Sequence, residues 1–358
     1  MATFGGSLPV PNVQELVREH INTVPARYIR SDQETLIISS GSALLLSLPV
    51  IDLQKLLSAE SMDSELARLH SACQEWGFFQ LINHGVSSSL VEKIKLEIQE
   101  FFMLPMEEKK KFWQQPMDVE GFGQAFVVSE QQKLDWGDIF YIATQPTYIR
   151  KPNLFPKLPL PFRDTLDAYS LELKKVAIAI LEQMGKALKM ETAEIREIFE
   201  DGMQSMRMNY YPPCPRPEQV IGLSPHSDSL GLTILLQING IEGLQIRKDG
   251  NWIPVTPLPD AFMLNVGDIM EIISNGTYRS IEHRATVNSE KERFSIATFY
   301  GPNPDGEVGP ARSLISPDRP ALFRREGVQE YFKAFLSRKL DGKSNIEAMR
   351  IQNGEKQN

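Results

Sequence analysis

The chain has 358 residues, 42% of them hydrophobic and 23% charged, which suits one large or two small globular units. Its formal net charge of -8 argues against nucleic acid and against an anionic membrane surface as partners. Two cysteines, Cys73 and Cys214, are too few for a disulfide framework, no stretch approaches bilayer-crossing length, and Met1-Ala2-Thr3-Phe4-Gly5-Gly6 lacks a basic-then-apolar leader, so the expectation is a cytoplasmic monomer with reduced, packed thiols.

In chain order, a short amphipathic segment at Val13–Val17 leads into a loosely patterned arm, and Leu48–Leu53 reads as a strand. Leu66, Leu69, Cys73 and Trp76 recur at helical spacing, with Gly77 placed as a C-terminal cap. Phe78–Asn83 is a strand, and His84-Gly85 a turn whose histidine is expected to hydrogen-bond locally, not to bind metal. A helix from the serine run 87–89 carries Leu90, Val91, Ile94, Ile98, Phe101 and Phe102 and stops before Pro105. Lys109-Lys110-Lys111 reads as a solvated helix face. Gly121–Val127 offers Phe122 and Phe126 as aromatic walls, a strand passes through 139–141, and the proline-rich stretch 145–161 is a loop able to drape over a site. The longest helix then follows, with Leu166, Tyr169, Leu173, Val176, Ile180, Met184 and Leu188 on one stripe.

From Met203 the period changes to two. Strands are expected at 206–211, 232–238, 243–246, 252–255, 261–266 and 294–299, with Asp249-Gly250-Asn251 and Ser274-Asn275-Gly276 as hairpin turns. Short strands at near-regular spacing make a sandwich or barrel, and a last helix is expected over 329–339. The whole reads as an α+β chain, divided into an N-terminal helical and mixed module (1–200), a β domain (201–305) and a C-terminal helical segment (306–358).

The chemistry gathers in this β half. His226 and Asp228, two residues apart at a strand or its exit, point to one side. An isolated His-x-Asp is more often a turn or a core hydrogen bond. Here His283 supplies a second imidazole in another apolar segment, where an unpartnered ring is costly to bury. Two histidines and a carboxylate form the facial triad that holds non-haem Fe(II) and leaves the opposite positions open. Ten residues beyond His283, Arg293 and Ser295 alternate onto one strand face, a cationic fork for the carboxylate of a keto-acid bound at the metal.

The succession Asn209-Tyr210-Tyr211-Pro212-Pro213-Cys214-Pro215, His226-Ser227-Asp228, His283 and Arg293-Phe294-Ser295 resembles the plant 2-oxoglutarate- and Fe(II)-dependent dioxygenases. Trp76–Phe79 and Asn83–Gly85 resemble the N-terminal module of the same family, so the likeness spans nearly the whole chain. The nearest branch is that of the senescence-related oxygenases and alkaloid O-demethylases. The resemblance implies a double-stranded β-helix (jelly-roll) core with flanking helices. It implies Fe(II) on His226, Asp228 and His283, and 2-oxoglutarate as co-substrate on Arg293 and Ser295, with Tyr211 and Asn209 beside it. O2 is the second substrate and ascorbate a supporting reductant. Phe299 matches the family position facing the organic substrate; with Phe122, Phe126 and Arg207 it suggests a flat aromatic ligand such as an alkaloid, flavonoid or other phenolic. The implied reaction is hydroxylation or O-demethylation with release of succinate and CO2, and the presence of Asp228 argues against halogenation. The alternatives are carbon–carbon bond formation on amine substrates, a non-catalytic jelly-roll binding protein, or a zinc hydrolase; the last two have no use for the Arg-x-Ser clamp.

Overall fold

Alternation along a few long strands sorts the side chains of this molecule onto two faces with different work. The computed structural model describes residues 7–19, 21–30, 47–116, 118–124, 127–337 and 342–352. In chain order the strands used below are β1 (Val50–Asp52), β2 (Phe78–Ile82), β3 (Gly121–Gly123), β4 (Asp138–Gln145), β5 (Gln204–Tyr211), β6 (Leu223–His226), β7 (Leu232–Gln237), β8 (Leu244–Lys248), β9 (Asn251–Pro254), β10 (Phe262–Val266), β11 (His283–Ala285) and β12 (Arg293–Tyr300). They form an eight-stranded sheet in the order β1-β2-β10-β7-β12-β5-β4-β3 and a four-stranded sheet β6-β11-β8-β9. Strands from both the N-terminal module and the β domain therefore share the larger sheet. Phe78 and Met263 of the large sheet pack with Leu244, Ile246 and Val255 around the small one, and Tyr211 packs with Leu223 and Ala285. The two sheets thus lie face to face, as a jelly roll requires.

Register decides what each face carries. Phe122, Phe140, Met208 and Ile296 are consecutive cross-strand partners and belong to the main apolar core. Against that face lies the helix Leu160–Ala187, whose buried Phe162, Leu166, Tyr169, Leu173, Val176, Ile180 and Met184 follow the expected stripe. Each such side chain removed from water contributes about 1.5–3 kcal/mol. The opposite face carries Arg207, Asn209 and Tyr211 of β5 across from Ala297, Ser295 and Arg293 of β12. β12 runs without a register slip against both neighbours, so its odd-numbered residues all face the small sheet.

Three expectations change. Lys109 is not part of a solvated face: it is fully buried, donates to the Gln14 side chain and to the Phe102 carbonyl (2.9 Å), and lies 5.3 Å over the Phe122 ring. Lys110 and Lys111 are the exposed pair, bonded to Glu107 and Glu108 one turn earlier. The Ser274-Asn275-Gly276 stretch is no hairpin. It closes a helix, Asp268–Ile273, through left-handed Asn275 (φ 50°) and Gly276 (φ 77°), whose N–H donates to the Glu271 carbonyl at 2.8 Å. That helix is buried on every side, so its sequence has no amphipathic period to betray it. The proline-rich loop also turns inward, burying Leu154, Phe155 and Leu158 in the helix-side core. Asp249-Gly250 is the expected two-residue hairpin between β8 and β9. Cys73 and Cys214 are free and buried. Among the described residues no helix is long and apolar enough to cross a membrane.

Candidate active site

β6 and β11 are antiparallel neighbours, and His226 and His283 stand opposite one another in register. Their ring centroids lie 4.3 Å apart. Asp228, just past the end of β6, turns Oδ1 towards both rings, 3.5 Å from His226 Nε2 and 3.6 Å from His283 Nε2. All three side chains are buried, and their ligand atoms fall within 4.8 Å of one another. Each imidazole places Nδ1 against a carbonyl: Ser224 O at 2.8 Å for His226, Ile281 O at 3.2 Å for His283. A carbonyl only accepts, so Nδ1 holds the proton and Nε2 presents a bare lone pair to the common centre.

The carboxylate is oriented just as firmly. Thr233 Oγ1 donates to Asp228 Oδ2 at 2.6 Å and Asn265 Nδ2 donates to the same oxygen at 2.7 Å, leaving Oδ1 open. Burial works to raise the Asp228 carboxyl, but the two imidazoles and the Asn265 amide outweigh it and hold the group below the usual carboxylate range. Burial pushes the His283 imidazole down to about 4 despite the pull of Asp228. At neutral pH Asp228 is a carboxylate and His283 a neutral imidazole, and with His226 Nε2 aimed at the same centre the set has the donor chemistry that fits Fe(II) with open positions.

β12 of the large sheet carries a buried cation, over the ring of Tyr211, which packs with Leu223 and Ala285 of β6 and β11. Arg293 is 3% exposed, makes no salt bridge to a carboxylate among the described residues, and leaves Nε without a hydrogen-bond partner. It meets Gln237 Oε1 at 3.4 Å and the Tyr211 ring, 5.3 Å from the guanidinium carbon. Burial alone works against its charge. The stem lies along Gly243, where a Cβ would sit 2.8 Å from Arg293 Cδ, so only glycine leaves the channel open. A guanidinium buried without a counter-ion is costly, and the arrangement fits an arriving carboxylate that supplies one. Ser295 lies two residues along the same face, its Oγ 3.3 Å from Asn209 Nδ2, while Asn209 Oδ1 is buried without a partner. The residues present therefore fit both Fe(II) and 2-oxoglutarate.

Six residues along β12 from the clamp, roughly 20 Å at strand rise, is Phe299. It is half-buried, faces the same way as Arg293, pairs with Thr233, and has its ring 6.5 Å from that of Tyr141. Arg207 is half-buried on this face too, its Nε unpartnered. Phe122 is a correction: at 1% exposure it points to the helix side, packed with Phe101 and Phe102, because its strand parity puts it there. Phe126 lies outside the described residues. His84 makes the local turn bond, its Nδ1 accepting from the Val86 N–H at 3.2 Å, and its Nε2 donates to the carbonyl of sequence-distant Asp260 at 3.1 Å.

Sequence reasoning missed Thr233, Asn265, Gln237 and Tyr141. Asn265 had a signal, a lone amide inside the apolar run Phe262-Met263-Leu264-Asn265-Val266, but nothing local says which carboxylate it meets.

Comparison with known proteins gives the same chemistry. The family described as non-haem dioxygenase in morphine synthesis, N-terminal, matches residues 48–158, and the 2OG-Fe(II) oxygenase superfamily matches 202–302. Protein SRG1 of Arabidopsis thaliana is 58% identical over 96% of this chain and 97% of its own length. Oxoglutarate-dependent flavonoid 7-O-demethylase 1 of Ocimum basilicum is 57% identical over 98% and 93%, and codeine O-demethylase of Papaver somniferum 53% over 97% and 98%. A crystal structure of JOX2 with 2OG, Fe and JA superposes with a TM-score of 0.88 at 36% identity, covering 97% of this chain and 100% of that one. With the triad, the buried arginine and these relatives in hand, the chain belongs to the 2-oxoglutarate- and Fe(II)-dependent oxygenases, in the branch of the senescence-related oxygenases and the flavonoid and alkaloid O-demethylases.

Proposed function

We propose that this oxygenase hydroxylates or O-demethylates a small aromatic specialised metabolite, an alkaloid, flavonoid or other phenolic. The observation that carries the reading is the far end of β12. There the half-buried Phe299 and Tyr141 offer ring faces beside Arg207, on the face of the large sheet that meets the small one and at the opposite end of β12 from Arg293. Relatives named as O-demethylases of a flavonoid and of codeine support the substrate class.

When bound, Fe(II) and 2-oxoglutarate supply the oxidant, the keto-acid leaving as succinate and CO2 while one oxygen atom of O2 goes to a substrate C–H. The protein does the rest by placement. His226, Asp228 and His283 would hold the metal. Arg293 and Ser295 would take a carboxylate of the co-substrate, with Tyr211 and Asn209 beside them. Phe299 and Tyr141 stack the flat ring, and Arg207 receives a phenolic or carbonyl oxygen, fixing which carbon is presented. If that carbon is a methyl ether, the hydroxylated product is a hemiacetal that collapses to formaldehyde and a free hydroxyl, so one geometry serves both outcomes. A purely binding role has no use for Arg293 buried without a counter-ion.

The test is incubation with Fe(II), 2-oxoglutarate and a panel of methylated and unmethylated aromatic metabolites, reading succinate and formaldehyde. The expected result is substrate-stimulated succinate, with equimolar formaldehyde for the methyl ethers accepted. A panel that never raises succinate above the substrate-free rate overturns the substrate class.

A further inference from the structure

The metal ligands sit on two separate stretches of chain, Ser224–Asp228 and Ile281–His283, and a third stretch ties them together from outside. Gly342 forms a parallel bridge with His226: its N–H donates to the Pro225 carbonyl at 3.2 Å, and its carbonyl accepts from Ser227 N–H at 3.1 Å. The next residue, Lys343, reaches across. Its Nζ donates to the Ser280 carbonyl at 2.7 Å and to Glu271 Oε2 at 2.8 Å. Glu271 Oε2 also accepts the Ser280 N–H at 2.7 Å, so carboxylate and lysine hold one residue, Ser280, by its N–H and its C=O. Glu271 is 5% exposed and rides on the helix Asp268–Ile273, whose Asp268 N–H donates to the Asp228 carbonyl at 2.7 Å.

The carbonyls that orient the two imidazoles are Ser224 O and Ile281 O. Each lies one residue from a carbonyl that this segment holds, Pro225 O and Ser280 O respectively. Gly342 has φ +51°, and a Cβ there would lie 2.9 Å from Glu282 Oε1, so a side chain would disturb the crossing. We infer that Lys343, delivered by Gly342, is a positioning residue for the metal centre: beside the direct β6–β11 pairing it adds a second tie between the His226 arm and the His283 arm, and so sets the angle between the two Nε2 lone pairs. The inference rests on the assignment of His226, Asp228 and His283 as metal ligands. The bonds are partly shielded, Lys343 being 28% and Glu271 6% exposed at the side chain, so the ion pair is stronger than a surface one.

The experiment uses the full chain and Co(II) as probe, following visible absorption on titration, together with the melting temperature of the metal-free protein. Lys343→Met should raise the Co(II) dissociation constant about tenfold, as loss of an outer-shell partner does. Lys343→Arg, which keeps charge and donors, should recover most of that loss. A support that is merely structural would lower the metal-free melting temperature and leave the affinity of the folded protein unchanged, and that result overturns the inference. If Lys343→Met does not fold, Lys343→Gln, which can still donate to the Ser280 carbonyl, takes its place; failure of both to fold counts against a specific positioning role. His226→Ala is the parallel arm. Unchanged Co(II) affinity there would overturn the ligand assignment itself, separately from the role of Lys343.

Discussion

Asn265 donates its side-chain amide to Asp228 Oδ2 at 2.7 Å, so the carboxylate of the candidate metal triad is held from a strand that contributes no member of that triad. Asn265 lies in β10, opposite Thr233 of β7, which donates to the same oxygen. The pair fixes one carboxylate oxygen and leaves the other for the metal. Asn265→Leu keeps the volume and removes the donor. It should weaken Fe(II) or Co(II) binding about 10- to 100-fold, measured by titration of the folded variant. Equal affinity in the variant would show that Thr233 alone suffices.

Arg293 is a buried guanidinium with weak internal partners. Arg293→Lys keeps the charge and loses the planar fork. The Michaelis constant for 2-oxoglutarate should rise roughly ten- to a hundredfold, the worth of one charge-assisted bond of about 1.5–3 kcal/mol. Saturation curves that coincide for the two proteins would place the clamp elsewhere.

Phe299 is half-buried, unlike the fully enclosed aromatics on the helix side, and this favours a wall over a core role. Phe299→Ala should weaken organic-substrate binding or move the oxidised position, while substrate-free decarboxylation of 2-oxoglutarate continues. Truncating a core phenylalanine would instead cost about 3–5 kcal/mol and lower all activities together. Melting temperature, measured beside coupled and uncoupled turnover, separates the two; a large stability loss with unchanged regiochemistry removes Phe299 from the site.

Acid should destabilise the metal-free chain through His283. Its folded imidazole protonates only near pH 4, because burial disfavours the cation, whereas the unfolded ring does so near 6.5. The unfolded state therefore binds more protons in between. Stability is fully present above pH 6.5 and falls as pH drops towards 4, by up to about 3 kcal/mol. His70 and His84 are also lowered by burial, so the measurement is a difference. Denaturant unfolding at pH 7 and 4.5 should show a smaller loss in His283→Gln than in the unaltered chain. Parallel losses would mean that the ring is solvated in the folded state.

Residue types and spacing along the chain were enough for much of this site. His226-x-Asp228 and Arg293-x-Ser295 needed only the knowledge that alternate strand residues share a face; the structure groups His226 and Asp228 with His283 and sets Arg293 and Ser295 two residues apart on β12. The long helix and its buried stripe were equally legible, because a 3.6-residue period survives in the sequence. Failures came where a side chain's fate hangs on a distant partner. Phe122 looked like a wall beside a glycine-rich approach, but its pairing with Phe140 turned it to the other face of the sheet. Lys109 looked solvated in a lysine run, yet Gln14 and the Phe102 carbonyl receive it in the interior.

By itself, then, the sequence determined the ligand types, their order and the face each shares with its strand neighbours, since these follow from backbone geometry over a few residues. The tertiary structure alone decided which face of the large sheet meets the small one and that His226 and His283 stand in register. It also decided that Thr233, Asn265 and Lys343 reach the ligand segments. The reason is that strand periodicity has two equivalent phases, and only pairing with remote strands, which buries one face and hydrogen-bonds the other's polar groups, chooses between them.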